Sequence, residues 1–200
     1  MAKIELSKII IDESFYPRSG LSSFNVDRMI SALKCGAAFP PLVIESSSNR
    51  LVDGRHRYEA YKEHEVETVE VIKKTYTSEA DLFADAVRLN VGHGQSLDNF
   101  SISNAIIKLN EYGYSKEQIS DVVRLPLDKL EKIERGWAVD ETSGAPIALK
   151  GGLRHLARQP LNAAQQEKNR HYGGLKATFY ANQIKMLIEK FGTFFPTVGE

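Results

Sequence analysis

Five consecutive residues, Asp53-Gly54-Arg55-His56-Arg57, combine the types that bind phosphate. Glycine has no Cβ, so its backbone can approach a ligand closely. Free N–H groups at the start of a helix attract anions, and a helix opening at Gly54 would aim them at one point. Arg55 and Arg57 add forked donors of fixed charge that suit phosphate oxygens, and His56 adds a titratable ring. The chemistry on offer is a phosphate cradle. The same residues also suit the end of a hairpin followed by a surface helix with solvated cations, because a lone Asp-Gly turn is a weak signal.

The flanking residues supply elements to hold such a cradle. Pro41 to Glu45 reads as a short buried strand, Ser46 to Arg50 as a polar hairpin turn, and Arg50-Leu51-Val52 as the returning strand. A helix then runs from Arg57 to Glu63. Upstream, the apolar Ile4 to Ile11 reads as the first strand, and Asp12 to Arg18 as a loop in which Pro17 fixes the backbone and Arg18 projects. Val26, Met29, Ile30 and Leu33 recur at helical spacing, with Asn25 as N-cap and Gly36 as the stop. Downstream, Val66 to Lys73 alternates as a strand. Ser78 caps a helix to Asn90, and Gly92-His93-Gly94-Gln95 reads as a hinge.

The box resembles the signature of the ParB/sulfiredoxin-like superfamily. Sulfiredoxins carry Gly-Cys-His-Arg-Tyr, which matches Gly54, His56, Arg57 and Tyr58, although Arg55 stands where the essential cysteine would be. ParB proteins carry Gly-Glu-Arg-Arg, and ParB-like serine kinases carry Asp-Gly-x-His-Arg, matching Asp53, Gly54, His56 and Arg57. The resemblance implies an α+β fold: a small mixed-sheet ParB-like domain followed by an all-helical helix-turn-helix domain. It also implies a nucleotide site made of Arg18, Gly54, Arg55, His56, Arg57, Asn90 and His93, taking CTP or ATP with Mg²⁺ near Asn90. Leu89 and His93 stand where ParB proteins have a glutamate and an arginine, so a carboxylate that Mg²⁺ prefers is missing. By likeness to the kinases, Asp53 or Glu13 would be the catalytic base or metal ligand.

The second half reads as helical. Leu97 to Tyr112 has an apolar stripe of Ile102, Ala105, Ile106 and Leu109, and Ser115-Lys116-Glu117-Gln118 is a capping-box pattern. Arg124-Leu125-Pro126 breaks the chain before a helix from Leu127 to Gly136, giving a helix-turn-helix pattern that resembles the one in ParB proteins. Lys129, Lys132 and Arg135 are its candidate DNA contacts, opposed by Asp128, Glu131 and Glu134. Trp137 to Gly144 reads as a polar linker. Beyond it Arg154, Arg158 and Arg170 stand out in a basic stretch, and Leu175 to Phe191 reads as a final helix. The expected domains are 1–94, nucleotide-binding; 95–138, helix-turn-helix; and 139–200, a basic helical extension.

Composition bounds the rest. The chain has 26 Lys and Arg against 26 Asp and Glu, so no global basic field announces nucleic acid, and any DNA contact must be local. Cys35 is the lone cysteine, read as a small buried residue; it excludes an internal disulfide and suits a reducing compartment. No run approaches the roughly 18 apolar residues of a membrane span, and the N-terminal residues form no signal core, so a cytoplasmic protein is expected. Three readings follow. The first is a nucleotide-responsive partition or regulator module that binds DNA, with a homodimer as its closed form. The second is a phosphotransferase, NTPase or nuclease on the same fold. The third is a scaffold that has lost its nucleotide and binds a protein.

Overall fold

A computed structural model describes residues 2–13, 15–18, 20–92, 97–172 and 186. The chain divides into two units, Met1–Lys132 and Ile133–Glu200.

In the first unit a four-stranded mixed sheet is built from β1 (Ala2–Glu5), β2 (Leu42–Glu45), β3 (Leu51–Asp53) and β4 (Thr68–Lys74), in the order β1-β4-β2-β3. β4 runs antiparallel to β1 and parallel to β2, while β2 and β3 form a hairpin. The parallel pair requires a crossover, which β3 and α2 (Arg55–Glu63) supply. Burial explains the register. Leu42, Ile44 and Val71 are wholly buried, and with Leu6, Ile9, Leu51 and Val69 they form the core over which Tyr58 and Tyr61 of α2 pack. α1 (Ser23–Lys34) packs on α2, and α3 (Glu79–Gly92) packs on β3.

α3 buries Leu82, Phe83, Ala86, Val87 and Asn90. It packs against α4 (Asn99–Glu111) and α5 (Lys116–Val123). Ser115 and Gln118 form the expected reciprocal cap of α5, and Arg124, at φ +54°, turns the chain before α6 (Leu127–Glu134).

Several elements differ from the sequence reading. The first strand is short: the chain leaves β1 through a 3-10 turn at Leu6–Lys8, and only Ile10 pairs again, in a bridge with Arg50. Ser22, not Asn25, caps α1, its hydroxyl accepting from the Asn25 N–H. Cys35 is exposed, because it ends α1 at the surface. In α6, which the sequence reading ran on to Gly136, Leu130 is the buried residue and Leu127 is 44% exposed.

The second unit replaces the expected linker with a sheet. β5 (Ala138–Asp140) pairs antiparallel with β6 (Pro146–Ile147) and parallel with β7 (Pro160–Leu161), around a core of Ala138, Leu149, Leu153 and Leu161. Asp140 closes the turn after β5 by accepting from the Ser143 and Thr142 amides, which with Gln166 hold its carboxyl down to about 2. A 3-10 helix, Gly151–Leu156, and α7 (Ala163–His171) follow among the described residues of the unit. The expected helix at 175–191 lies outside the described residues.

Candidate functional site

Gly54 caps α2 with φ +103°, in the left-handed region that side chains avoid. A Cβ there would lie 2.5 Å from Leu42 Cδ2 and 3.0 Å from Arg57 Nη2. The glycine therefore lets the chain turn out of β3 directly against β2, and the first amides of α2 have no carbonyl inside the helix to accept them.

The loop facing that helix end is held by one ring. Phe15 is 3% exposed, with the Arg50 guanidinium 5.2 Å from its centroid and the Phe83 ring edge-on at 5.7 Å. Arg50 is itself fixed by carboxylates of Glu45 and Glu79. This anchor sets Glu13, Tyr16 and Arg18 beside α2. The Arg55 N–H donates to the Tyr16 hydroxyl at 3.3 Å. Burial, with the Asp53 charge behind it, pushes that hydroxyl up to about 12, so it stays protonated.

Arg55 Nη2 donates to Glu13 Oε1 at 2.6 Å and pairs with Glu59 Oε1 at 2.9 Å. Its Nη1 is buried and has no hydrogen-bond partner among the described residues. A buried guanidinium N–H left unpaired is costly, and it marks where an acceptor is wanted.

Arg57 is used differently. Its Nη1 donates to the carbonyls of Pro40 and Pro41 at 2.6 and 2.8 Å, and its Nη2 to Asp53 Oδ2 at 2.7 Å. It ties the strand entry to the end of the hairpin, and it occupies the Asp53 carboxylate. Glu13, the other candidate base, is held by Arg55.

His56 is also turned inward. Its Nε2 accepts the Ser22 N–H at 3.1 Å, which places the proton of the neutral ring on Nδ1 and docks the start of α1 on the box. Burial first, then the charges of Arg18 and Arg55, holds its pKa below the ordinary value. Asn90, 3% exposed, accepts from Arg18 Nε at 3.0 Å and donates to the Ala86 carbonyl at 2.8 Å. Arg18, Arg55, His56 and Asn90 therefore meet around the Gly54 turn. His93 lies outside the described residues.

Sequence reasoning missed Tyr16, Ser22 and Glu59. Glu59 was within reach as the i+4 partner of Arg55. No local pattern marks Tyr16 or Ser22, whose roles come from loop packing.

The candidate DNA contacts are exposed. Lys129 stands on α6, and Lys132 lies 3.7 Å from Asp128 in a solvated pair. In the second unit Arg135, Arg154, Arg158 and Arg170 are exposed, with Arg170 3.4 Å from Glu167. Such pairs are weak in water and leave the cations accessible to phosphate.

No family model and no curated protein matches the chain. Among solved structures it is similar to the C-terminally truncated chromosome-partitioning protein ParB from Caulobacter crescentus complexed to the centromeric parS site. The TM-score is 0.52 at 11% identity, over 68% of this chain and 71% of that one. The same truncated ParB complexed with CTP-γ-S aligns at TM-score 0.42 and 11% identity, over 67% and 76%. A Pnob8-like ParB-N domain aligns at 0.46 and 19% identity, over 74% of this chain and 56% of its own. The fold is ParB-like, with small mixed sheets and a helical part.

Proposed function

We propose that this ParB-fold chain is a nucleotide-responsive DNA-binding module whose phosphate site lies at the Gly54 turn. The observation that carries this reading is the buried Arg55 Nη1, unpartnered among the described residues, on a side chain that starts α2. A phosphate oxygen is the acceptor that would satisfy both this donor and the helix start, since guanidinium forks and helix starts each favour anions. Arg18 supplies a second guanidinium, steadied by Asn90. His56, Arg57 and Asp53 position the turn rather than touch the ligand.

DNA contact is assigned to Lys129, Lys132 and Arg135 at the proposed α5–turn–α6 helix-turn-helix, with phosphate contacts from Arg154, Arg158 and Arg170. Each is a phosphate-type contact whose loss should lower the salt slope of DNA binding by about 1. A nucleotide would change DNA binding only by favouring one state of the protein, such as a closed homodimer, over another. Nothing favours the phosphotransferase reading, because both candidate bases, Asp53 and Glu13, are engaged by arginines.

The test is calorimetric titration with CTP, ATP and ADP, using Arg55→Ala as the binding-deficient variant. Binding that Arg55→Ala removes without loss of fold supports the site, and the preferred base identifies the ligand. If none of the three nucleotides binds the folded chain, the phosphate site is wrong.

A further inference from the structure

We propose that the phosphate site of this chain binds its nucleotide without a divalent cation. The proposal rests on the phosphate-binding reading above and concerns how the ligand's charge is met.

Mg²⁺ demands oxygen ligands at about 2.1 Å in near-octahedral order, and usually takes one or two carboxylates from the protein. The donors around the Gly54 turn do not fit that demand. Asn90 has one side-chain oxygen, and that oxygen already accepts from Arg18 Nε at 3.0 Å. The amide is locked in this sense, because its nitrogen donates to the Ala86 carbonyl and the residue is buried. A Mg²⁺ on the same oxygen would lie within about 5 Å of a guanidinium, where like charges repel. The preceding residue, Leu89, has no oxygen in its side chain to offer.

The nearby carboxylates are committed elsewhere. Asp53 pairs with Arg57 at 2.7 Å, and Glu13 and Glu59 converge on Arg55 at 2.6 and 2.9 Å. Recruiting Asp53 would strip the partly buried Arg57 of its carboxylate, and recruiting Glu59 would leave Arg55 paired with the exposed Glu13 alone. Among the described residues no group of three His, Cys, Asp or Glu side chains could hold a metal ion. Among the described residues, what remains to meet phosphate charge is cationic and fixed: Arg18, Arg55 Nη1, and the amides of the first turn of α2 beyond that of Arg55. A nucleotide carrying Mg²⁺ would bring less negative charge to these groups than the free nucleotide.

The experiment is isothermal titration of the full chain with CTP and ATP, once in EDTA and once in excess Mg²⁺. The expected result is a Kd in EDTA that is equal to that in Mg²⁺ within about threefold, or tighter. Arg55→Gln should weaken binding in both buffers alike. Binding that tightens about tenfold or more on adding Mg²⁺ would overturn the proposal while leaving the phosphate site standing. An absence of binding in both buffers would instead refute the phosphate site, and this proposal with it.

Discussion

Removing the Arg57 side chain should unfold the hairpin end, and this separates a structural arginine from a ligand. Arg57 makes three short bonds, to the carbonyls of Pro40 and Pro41 and to Asp53, with its side chain 14% exposed. A hydrogen bond to a charged group contributes about 1.5–3 kcal/mol when well shielded, and breaking one side of a buried pair costs about 3–5 kcal/mol. Asp53 is 22% exposed, so water recovers part of that loss. Arg57→Ala should therefore cost about 3 kcal/mol of stability, a fall in melting temperature of about 6–12 °C. Arg57→Lys should lose about half as much, because one ammonium cannot span carbonyls and carboxylate together. The assay is urea unfolding followed by far-UV circular dichroism, with anion binding measured on whatever remains folded. A loss of stability below about 1 kcal/mol together with abolished nucleotide binding would refute this account and return Arg57 to the ligand set.

Gly54→Ala should destabilise by about 2 kcal/mol or more, since it combines a left-handed backbone with a Cβ 2.5 Å from Leu42; a melting temperature unchanged from the parent would contradict the turn geometry. His56 is held below its ordinary pKa of 6.5, so the fold prefers the neutral ring. The stability it contributes is present above that value and is lost as pH falls through the depressed folded pKa. Melting temperature should drop on acidification below pH 6.5, and His56→Asn should flatten that dependence; an equal slope in both proteins would dissociate His56 from it. Glu13→Gln should tighten nucleotide binding by up to about fivefold, because it releases Arg55 from an exposed partner whose pairing is worth at most about 1 kcal/mol. Weakened binding would assign Glu13 to the ligand site instead.

The hairpin, the Gly54 turn and the Ser115 capping box were legible because each rests on neighbours in sequence. Asp-Gly after a β-branched strand specifies a turn, and Ser-x-x-Gln specifies a cap. Ser22 as the cap of α1 was not legible. Serine and asparagine are about equally favoured as N-caps, and what fixes Ser22 there is its N–H bond to His56, 34 residues away. The apolar run at 4–11 looked like one strand because periodicity cannot register that the Ile9 amide turns back to the Leu6 carbonyl, which closes the 3-10 turn after β1. The second-unit sheet was hidden by brevity. Three residues of β5 carry no readable alternation, although the Asp140-to-Gly144 turn that Asp140 caps was a usable sign.

Helix geometry explains why the cradle expected of Arg55, His56 and Arg57 divides among three tasks. Consecutive residues on an α-helix are about 100° apart, so three in a row cannot face one ligand. Arg55 faces the loop that carries Glu13 and Tyr16. His56 faces the start of α1, and Arg57, about 200° from Arg55, faces the Pro40-Pro41 entry to β2. Tyr58 then turns toward the sheet core. A phosphate at the helix start can therefore be reached by one side chain of the box, helped by the amides and by an arginine from another element. On the proposed reading Arg55 is the residue in that position, and among the described residues it alone of the three has a buried donor without a partner. Arg18, which follows the Phe15 anchor and is held by Asn90, is the complementary arginine on the proposed reading. The motif marks the turn. The orphaned donor, and not the number of cations in the motif, marks the place where a ligand is wanted.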